Sequence, residues 1–372
     1  MATKQPAQKR TPEQMLEAKM KELQKKYGAT TVMNMSETPD LEWVPTGSPS
    51  LDYALGGGVP KGKVIEIHGA SSGGKSTIAL TIARQFQKEL PGMTLYIDLE
   101  RTTTKEYAES IGLDTSRMLL ASPVTGEDAI DVMEELLSTG GVSLIVLDSL
   151  AALLPKEEEA GKIGDAHVAL QARLINRMLQ RVIPKLDETG ATLILINQIR
   201  QNIGSFGFGD KYKATGGKSI EFYAHLRLKT VAVGKLKRGD DWIGNKLKVT
   251  TTKSKSGRAL RTADLEVIFG EGISLEGDVI NWGEKEKVLR KSGAYYYYGE
   301  ESIGQGKEAA RQYLIKHPEL RDEIFSKVME KIREEEGDRL ALPITEDEQN
   351  ELTGGEEYEE STDGQQVAEP AF

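Results

Sequence analysis

Four short runs of mostly apolar residues are the feature that most limits how this chain can fold. The runs are Val64–Ile67, Thr94–Ile97, Leu144–Leu147 and Thr192–Ile196, and the segments of helical periodicity among them are 76–90, 127–138 and 166–188. A strand that is apolar on both sides is typical of a parallel sheet with helices packed above and below it. The alternation of such strands with helices therefore predicts an α/β fold with a mostly parallel central sheet.

The N-terminal residues predict a separate helix. Thr11, Pro12 and Gln14 provide an N-cap, a proline in the first turn and a glutamine three residues after the cap, and Gly28 supplies a stop. Apolar residues recur between these signals at helical spacing, so one face of the helix must pack against something. Its own chain and a neighbouring subunit both satisfy this requirement, and the residues leave the two alternatives open.

The second half of the chain predicts further strands and a small domain. Three segments alternate apolar and polar residues and are expected to be partly exposed strands of the same sheet: Glu221–Val233, Lys246–Thr252 and Asp264–Phe269. Residues 275–336 are mostly helical around the run Tyr295–Tyr298 and predict a small α+β domain. The predicted divisions are 1–35 for the N-terminal helix and oligomerisation segment, 36–274 for the core, 275–336 for the small C-terminal domain and 337–372 for an acidic, disordered tail.

Composition excludes several classes of protein. The 372 residues contain no cysteine, which excludes disulfides, thiol catalysis and thiolate metal sites. No apolar run approaches the roughly 18 residues of a membrane span, and the first ten residues have no apolar stretch of the kind found in secretory signals. We therefore expect a cytoplasmic protein with no membrane partner.

The negative net charge comes from the C-terminal tail. The chain has 48 Lys and Arg against 58 Asp and Glu, but ten of the acidic residues and none of the basic ones follow Arg339. Residues 1–339 are thus electrically balanced. A balanced body with an acidic tail is compatible with nucleic-acid binding, which the overall charge alone would have argued against.

A glycine-rich loop follows the first apolar strand. Residues Gly69–Ser76 match the pattern G-x-x-x-x-G-K-[ST], between a predicted strand and a predicted helix. In that context the glycines let backbone N–H groups turn toward phosphate oxygens, and the helix N-terminus adds its partial positive charge. Lys75 is expected to neutralise phosphate charge, and the Ser76 hydroxyl is expected to ligate Mg²⁺.

Polar side chains follow three of the other apolar strands. Asp148 ends one run and is expected to hold Mg²⁺ beside the loop, because the carboxyl ends of parallel strands line the ligand crevice. Glu100 follows a second run and is a candidate base for activating water. Gln198 follows a third and is a candidate sensor of the γ-phosphate. The alternative roles are a cap of the next turn for Asp148, a salt-bridge or capping residue for Glu100, and a turn amide for Gln198.

Eight motifs in a fixed order carry a wider resemblance. They are GASSGGKST, YIDLE, LIVLDSLAALLPKEE, IGDAHVALQARL, LILINQIRQNIG, TGGKSIEFYAHLRL, GEGIS and IGQGKEAA. In this order and spacing they resemble the RecA family of bacterial recombinases, from about Gly28 to about Arg333. The resemblance implies a RecA-type P-loop ATPase core that binds single-stranded DNA as a helical homo-filament, holds ATP at subunit interfaces and exchanges strands with homologous duplex. It also implies stimulated self-cleavage of a repressor in the damage response.

The resemblance also implies roles for individual residues. Lys75, Glu100, Gln198, Lys253 and Lys255 would be catalytic, the last two by reaching ATP bound to the adjacent subunit. Ser76 and Asp148 would hold Mg²⁺, and Tyr107 would stack on the adenine. The implied nucleotide-binding residues are Gly69, Ala70, Ser71, Ser72, Gly73, Gly74, Lys75, Ser76, Thr77, Thr104 and Tyr107.

Two loops are implied to bind DNA, around Glu159–Val168 and from about Ile199 to Lys218. The second has a composition suited to single strands in its own right, because it combines glycines, cations and aromatic residues. The implied DNA-binding residues are Val168, Arg173, Arg200, Gly204, Phe208, Lys211, Lys213, Gly216, Gly217 and Lys218.

The chain departs from the family pattern at several positions. Thr104 stands where an Asp usually reads the adenine amino group, so we expect a smaller preference for ATP over GTP. Val168 stands where a longer Met is frequent. Glu221 replaces a usual interface Lys and reverses a charge there. These differences suit either a divergent host protein or a phage-encoded one.

Two other functions are compatible with the same motifs. One is an ATPase of the same fold without exchange activity, such as a hexameric helicase or a DNA-repair ATPase. The other is a filament scaffold that signals DNA damage and for which turnover is incidental. Formation of homology-dependent joint molecules distinguishes the recombinase from the first alternative. A filament scaffold, the second alternative, would keep its signalling activity when ATP hydrolysis, but not ATP binding, is blocked.

Overall fold

The computed structural model describes residues 11–28, 31–38, 40–159, 167–201, 212–214, 219–238, 240–257 and 259–339. The helices are α1 (Pro12–Tyr27), α2 (Pro49–Leu55), α3 (Lys75–Glu89), α4 (Lys105–Ile111), α5 (Gly126–Ser138), α6 (Lys156–Glu159), α7 (His167–Thr189), α8 (Ser219–Tyr223), α9 (Leu275–Lys285), α10 (Lys307–Lys316) and α11 (Pro318–Arg339). The strands are β1 (Trp43–Val44), β2 (Val59–Pro60), β3 (Val64–Gly69), β4 (Met93–Asp98), β5 (Met118–Ala121), β6 (Val142–Asp148), β7 (Thr192–Gln201), β8 (Tyr212–Ala214), β9 (Leu226–Arg238), β10 (Asp241–Ser254), β11 (Thr262–Ile268), β12 (Gly272–Ile273), β13 (Arg290–Ser292), β14 (Tyr295–Tyr298) and β15 (Glu301–Gln305).

Residues up to Glu42 form one unit, and those from Trp43 onward form a second. The predicted helix of the first unit is α1. Its capping box is present in full, because the Thr11 hydroxyl accepts from Gln14 N at 3.3 Å while the Gln14 side chain accepts from Thr11 N at 3.1 Å. Met15 and Leu16 on this helix are 54% and 64% exposed.

The predicted parallel sheet is confirmed in the second unit. Six strands run parallel in the order β9-β3-β7-β6-β4-β5, and all four apolar runs lie inside it. Alternate residues of each run enter two separate apolar clusters: Leu144 and Val146 pack with α2 and α3, whereas Ile145 and Leu147 pack with α5 and α7. Burial on both faces is the physical reason that these runs lack polar alternation.

The later strands extend the same sheet as predicted: β9 runs parallel to β3, whereas β10, β11 and β12 each run antiparallel to the strand before them. β9, β10, β11 and β12 follow one another along one edge, and β10 pairs with both β9 and β11. The predicted strand start at Glu221 is wrong, because Ser219–Tyr223 is helical and β9 begins at Leu226. Strand β5 was not predicted, because its run Met118–Ala121 is too short and too exposed to stand out in the sequence.

The C-terminal residues contain a separate three-stranded sheet. The tyrosine run is the central strand β14 between β13 and β15, and α9, α10 and α11 enclose a third apolar cluster with it. The predicted tail begins at residue 337, but helix α11 continues to Arg339. Residues 340–372 of the predicted tail lie outside the described residues. Among the residues that are described, no helix is both long and apolar enough to cross a membrane.

Candidate nucleotide-binding site

The glycine-rich loop connects the end of β3 to the start of α3 and packs against two neighbouring strands. A Cβ atom on Gly69 would lie 2.5 Å from the carbonyl oxygen of Thr230 on β9. Gly74 has a φ of 75°, and a Cβ there would lie 2.2 Å from Leu247 Cδ1 on β10. Because real Cβ contacts are not so short, only glycine allows the loop to approach the sheet this closely.

Lys75 occupies the first position of α3 and points back into the loop. Its side chain is 7% exposed, and its Nζ donates a hydrogen bond of 2.7 Å to the carbonyl oxygen of Ala70. Burial lowers the pKa of Lys75, while the nearby carboxylates of Asp148 and Glu100 favour its charged form. A shielded ammonium beside backbone N–H groups at a helix N-terminus is an arrangement suited to phosphate.

Ser76 and Asp148 bring two oxygen ligands together beside the loop. Ser76 Oγ donates to Asp148 Oδ2 at 2.6 Å, and Tyr96 Oη donates to the same oxygen at 2.7 Å. Burial raises the pKa of Asp148 above its ordinary value, with smaller opposing contributions from these two hydrogen bonds. The peptide bond between Asp148 and Ser149 is cis.

This donor set fits Mg²⁺. In the part of the chain that the structure describes, no cluster of three or more His, Asp or Glu side chains could hold a metal ion. Mg²⁺ is commonly bound by one or two protein oxygens together with water and substrate phosphates, rather than by an all-protein cage. A hydroxyl and a buried carboxylate beside a phosphate-binding loop match that pattern.

Glu100 and Gln198 meet beyond the carboxyl ends of the parallel strands. The sheet register places Gly69 opposite Gln198 and Asp98 opposite Asp148, so the three predicted polar positions reach one edge. Glu100 Oε1 accepts from Ser149 Oγ at 2.5 Å and from Gln198 Nε2 at 2.7 Å. The structure thus brings the candidate base and the candidate sensor into direct contact.

A cavity of about 310 Å³ opens next to the loop. Its lining residues are Ser72, Gly73, Gly74, Lys75, Ser76, Thr77, Tyr107, Asn245, Leu247, Val267, Ile268, Phe269 and Gly270. The loop and the start of α3 supply part of the lining, and Tyr107, β10, β11 and the turn after β11 supply the rest. The lining residues from Asn245 to Gly270 were not predicted, although the motif GEGIS, which includes Gly270, was an available signal.

Tyr107 and Thr104 are placed differently with respect to this cavity. Tyr107 lines it, and its Oη lies 2.6 Å from Thr77 Oγ1. Thr104 is the N-cap of α4, where its hydroxyl accepts a hydrogen bond of 3.2 Å from Tyr107 N. Thr104 is not among the described residues that line the cavity, so its hydroxyl acts on the helix that carries Tyr107.

Lys253, near the end of β10, contacts helix α8, while Lys255 lies just beyond that strand. Lys253 Nζ donates hydrogen bonds to the carbonyl oxygens of Glu221 and Phe222. Glu221, the position with a reversed charge, pairs with Arg227 at 3.1 Å. Neither Lys253 nor Lys255 is among the described residues that line the cavity of their own chain.

The structure describes only some of the implied DNA-binding residues. Arg173 lies on α7 and is exposed, and Val168 is in the first turn of the same helix. The backbones of Arg200 and Lys213 pair antiparallel between β7 and β8. The remaining implied residues lie outside the described ones: Gly204, Phe208, Lys211, Gly216, Gly217 and Lys218.

Comparison with known proteins decides the family. Residues 14–274 match the RecA N-terminal domain, and residues 277–333 match the RecA C-terminal domain. The chain belongs to the RecA family. Proteins named Protein RecA resemble it over most of their length: that of Nautilia profundicola is 41% identical across 90% of this chain and 97% of the relative. Those of Salinispora tropica and Kineococcus radiotolerans are 40% and 42% identical, each across 86% of this chain and 92% of the relative.

RecA-family membership gives the geometry its chemical context. The chain is a DNA-dependent ATPase of recombination and repair, with strand-exchange activity. The phosphate-binding loop and the strand-end carboxylates described above lie within residues matched by the RecA N-terminal domain.

Proposed function

We propose that this chain binds ATP and Mg²⁺ in the cavity beside residues 69–76 and forms helical filaments on single-stranded DNA. Within these filaments it would pair that strand with homologous duplex. The observation that carries the proposal is the convergence of Lys75, the Ser76–Asp148 pair and the Glu100–Gln198 pair at one edge of the sheet. This set supplies phosphate binding, metal binding and water activation at adjacent positions.

The loop and the other residues that line the cavity have different proposed roles in binding ATP. Lys75 and the backbone N–H groups of residues 69–76 would hold the phosphates, since the helix N-terminus and the lysine both favour negative charge. Tyr107 and Phe269 line the cavity away from the loop, which suits an aromatic base. Mg²⁺ held by Ser76 and Asp148 would neutralise charge on the phosphates.

Glu100 is the proposed general base. It would take a proton from the attacking water while Ser149 Oγ holds the carboxylate in place. Gln198 donates to the same carboxylate oxygen, so its amide is positioned to exchange Glu100 for a γ-phosphate oxygen. Because Gln198 lies in β7, which continues toward the loop predicted to bind DNA, this exchange offers a route by which DNA and ATP affect each other.

Lys253 and Lys255 are proposed to act on the ATP of an adjacent subunit. Their exclusion from the cavity of their own chain supports a role in another, because two cations near phosphates would stabilise charge that develops during transfer. The 36–274 core, with Arg173 and the two loops, is proposed to contact single-stranded DNA. The acidic tail is proposed to compete with duplex DNA for cationic surfaces of the chain. A cytoplasmic location and stimulation of repressor cleavage complete the proposal.

The test combines ATP hydrolysis with strand exchange. ATP turnover by the full chain is measured with and without single-stranded DNA, and joint molecules are measured with a homologous duplex and with a heterologous one of equal length. We expect turnover to require single-stranded DNA and joint molecules to require homology. Unwinding or pairing that ignores homology would contradict strand exchange as the activity of this chain.

A further inference from the structure

The turn between β11 and β12 forms part of the lining of the cavity beside residues 69–76. Phe269 and Gly270 line the cavity, and Glu271 is the next residue along the chain. The turn is held to the sheet by hydrogen bonds from Phe269 N to Ile243 O at 3.0 Å and from Glu271 N to Ile268 O at 3.1 Å. These bonds fix the base of the turn. Phe269 also packs edge-on against Trp242, with ring centroids 5.4 Å apart, and the side chain of Glu271 adds a contact with another domain.

Glu271 contacts an arginine of the small C-terminal domain. Arg311 on α10 is 4% exposed, and its Nη1 donates a hydrogen bond of 2.8 Å to Glu271 Oε2. Glu308, one turn earlier on α10, accepts two further hydrogen bonds of 3.1 Å from the same guanidinium. Glu308 therefore aims the guanidinium at the turn, and the planar fork of arginine suits contacts in several directions.

A second ion pair joins the same helix to the strand that leads into the turn. Lys307 Nζ lies 3.0 Å from Glu266 Oε2 on β11. Helix α10 is thus connected to the cavity wall at two places, along β11 and at the tip of the turn. Two connections restrict the rotation of the helix over the turn as well as its distance from it.

We propose that Arg311 is a positioning residue for nucleotide binding, which holds the turn at Phe269 and Gly270 against the base end of the cavity. The small domain would thereby set the affinity for the base, and occupancy of the cavity would in turn stabilise the contact between α10 and the turn. The inference rests on the proposed binding of ATP in this cavity.

The test distinguishes an effect on binding of the base from an effect on binding of the phosphates. Arg311→Met and Glu271→Gln are compared with the parent full-length chain in binding ATP and inorganic tripolyphosphate. Both substitutions should weaken ATP binding about threefold to tenfold, a range typical of residues that act on a ligand through one intermediate element. Binding of tripolyphosphate should not change, because Lys75 and the loop are untouched. In hydrolysis assays KM should rise while kcat is retained.

Glu284→Gln is the matched control. It removes the carboxylate of a half-exposed ion pair within the small domain, with Lys291 at 3.2 Å, and leaves Arg311, Glu308 and Glu271 unchanged, so ATP affinity should stay close to that of the parent chain. The Glu271→Gln variant keeps the test valid if Arg311→Met fails to fold, since the side chain of Glu271 is 51% exposed and can lose its charge without leaving a buried cavity.

The outcomes identify which claim fails. Parent-like ATP affinity in both Arg311→Met and Glu271→Gln would overturn the inference, and so would an equal loss of ATP and tripolyphosphate binding. A parent chain that binds neither ligand would contradict the proposed function itself, and the inference with it.

Discussion

Gln198 on β7 donates a hydrogen bond of 2.7 Å to the Oε1 atom of Glu100, which lies just beyond β4 on the far side of β6. The same oxygen accepts from Ser149, which follows β6. Three side chains from three adjacent strands are thereby joined at one carboxylate. The carboxylate of Glu100 therefore connects the candidate base directly to the candidate sensor of the γ-phosphate.

Glu100→Gln should bind ATP and DNA but hydrolyse ATP slowly. The amide oxygen can still accept from Ser149 and Gln198, so the local geometry is retained, while the general base is lost. Such help is typically worth about 10²- to 10⁴-fold in rate. Turnover stimulated by single-stranded DNA measures the effect, with the ATP dissociation constant as the control. Turnover equal to that of the parent chain would place the base at another residue.

Lys75→Ala should abolish ATP-dependent DNA binding. The phosphates would lose their main cationic partner in a partly dehydrated site, at a cost of about 1.5–3 kcal/mol or more in binding free energy. Nucleotide affinity is measured by titration, and circular dichroism checks that the variant folds. Equal affinity in variant and parent would remove Lys75 from the phosphate site.

Arg227→Met should destabilise the fold far more than Glu221→Gln. Arg227 Nε lies 2.5 Å from Glu66 Oε2, and Glu66 is fully buried with one other described hydrogen-bond partner, Asn197 Nδ2 at 2.8 Å. Removing the cation leaves a buried carboxylate unpaired, which costs about 3–5 kcal/mol in free energy of unfolding.

Glu221 is half-exposed, and its pair with Arg227 should contribute about 1 kcal/mol or less. Urea denaturation of both variants measures the difference. The double variant Glu66→Gln, Arg227→Met should recover part of the loss, because no buried charge remains. Similar destabilisation in the two single variants would show that Glu66 does not depend on Arg227.

The stability of the chain should fall as pH rises toward 7 because of Asp52. Burial raises the pKa of Asp52 from 3.8 to about 7; the neighbouring Asp278 adds to the rise, and hydrogen bonds from Thr46 and the charge of Arg333 oppose it. Asp52 Oδ1 accepts from Thr46 N at 2.8 Å, while Oδ2 has no partner among the described residues. A carboxyl group of raised pKa binds a proton in the folded state between pH 4 and 7, where the unfolded chain has lost it.

Asp52→Asn should remove this pH dependence. The asparagine oxygen can still accept from Thr46 N, and no charge forms at neutral pH. The free energy of unfolding of the variant, relative to the parent chain, should therefore rise between pH 5 and pH 8, by at most about 1.4 kcal/mol per pH unit. Denaturation at both pH values measures it. A constant difference would mean that Asp52 ionises in the folded state at its ordinary pKa.

Removal of the acidic tail from about residue 343 onward should strengthen binding to duplex DNA. The tail carries ten carboxylates without a basic residue, and tethering keeps them at high effective concentration near cationic surfaces. Competition with DNA should decrease as salt rises, because duplex binding depends on counterion release. Duplex titrations of the full and truncated chains across a salt series test this. Superimposable curves would leave the tail with a solubilising role only.

Local patterns in the sequence were sufficient to predict the main elements of the core. The four apolar runs are central strands, and they were recognisable because a strand that is buried on both faces is apolar at nearly every position. The glycine-rich loop was equally evident, since its pattern depends on neighbouring residues between one strand and one helix. The capping box at Thr11 likewise depends on contacts only three residues apart.

Tertiary structure alone decided which distant residues meet. Strand order and register set the contact between Glu100 and Gln198, and no local pattern specifies that β6 lies between β4 and β7. The same holds for the ion pair of Arg227 with Glu66, and for that of Arg311 with Glu271, 40 residues away in sequence. Hydrophobic periodicity predicts which face of a helix or strand is buried. Which element covers that face depends on how the whole chain packs.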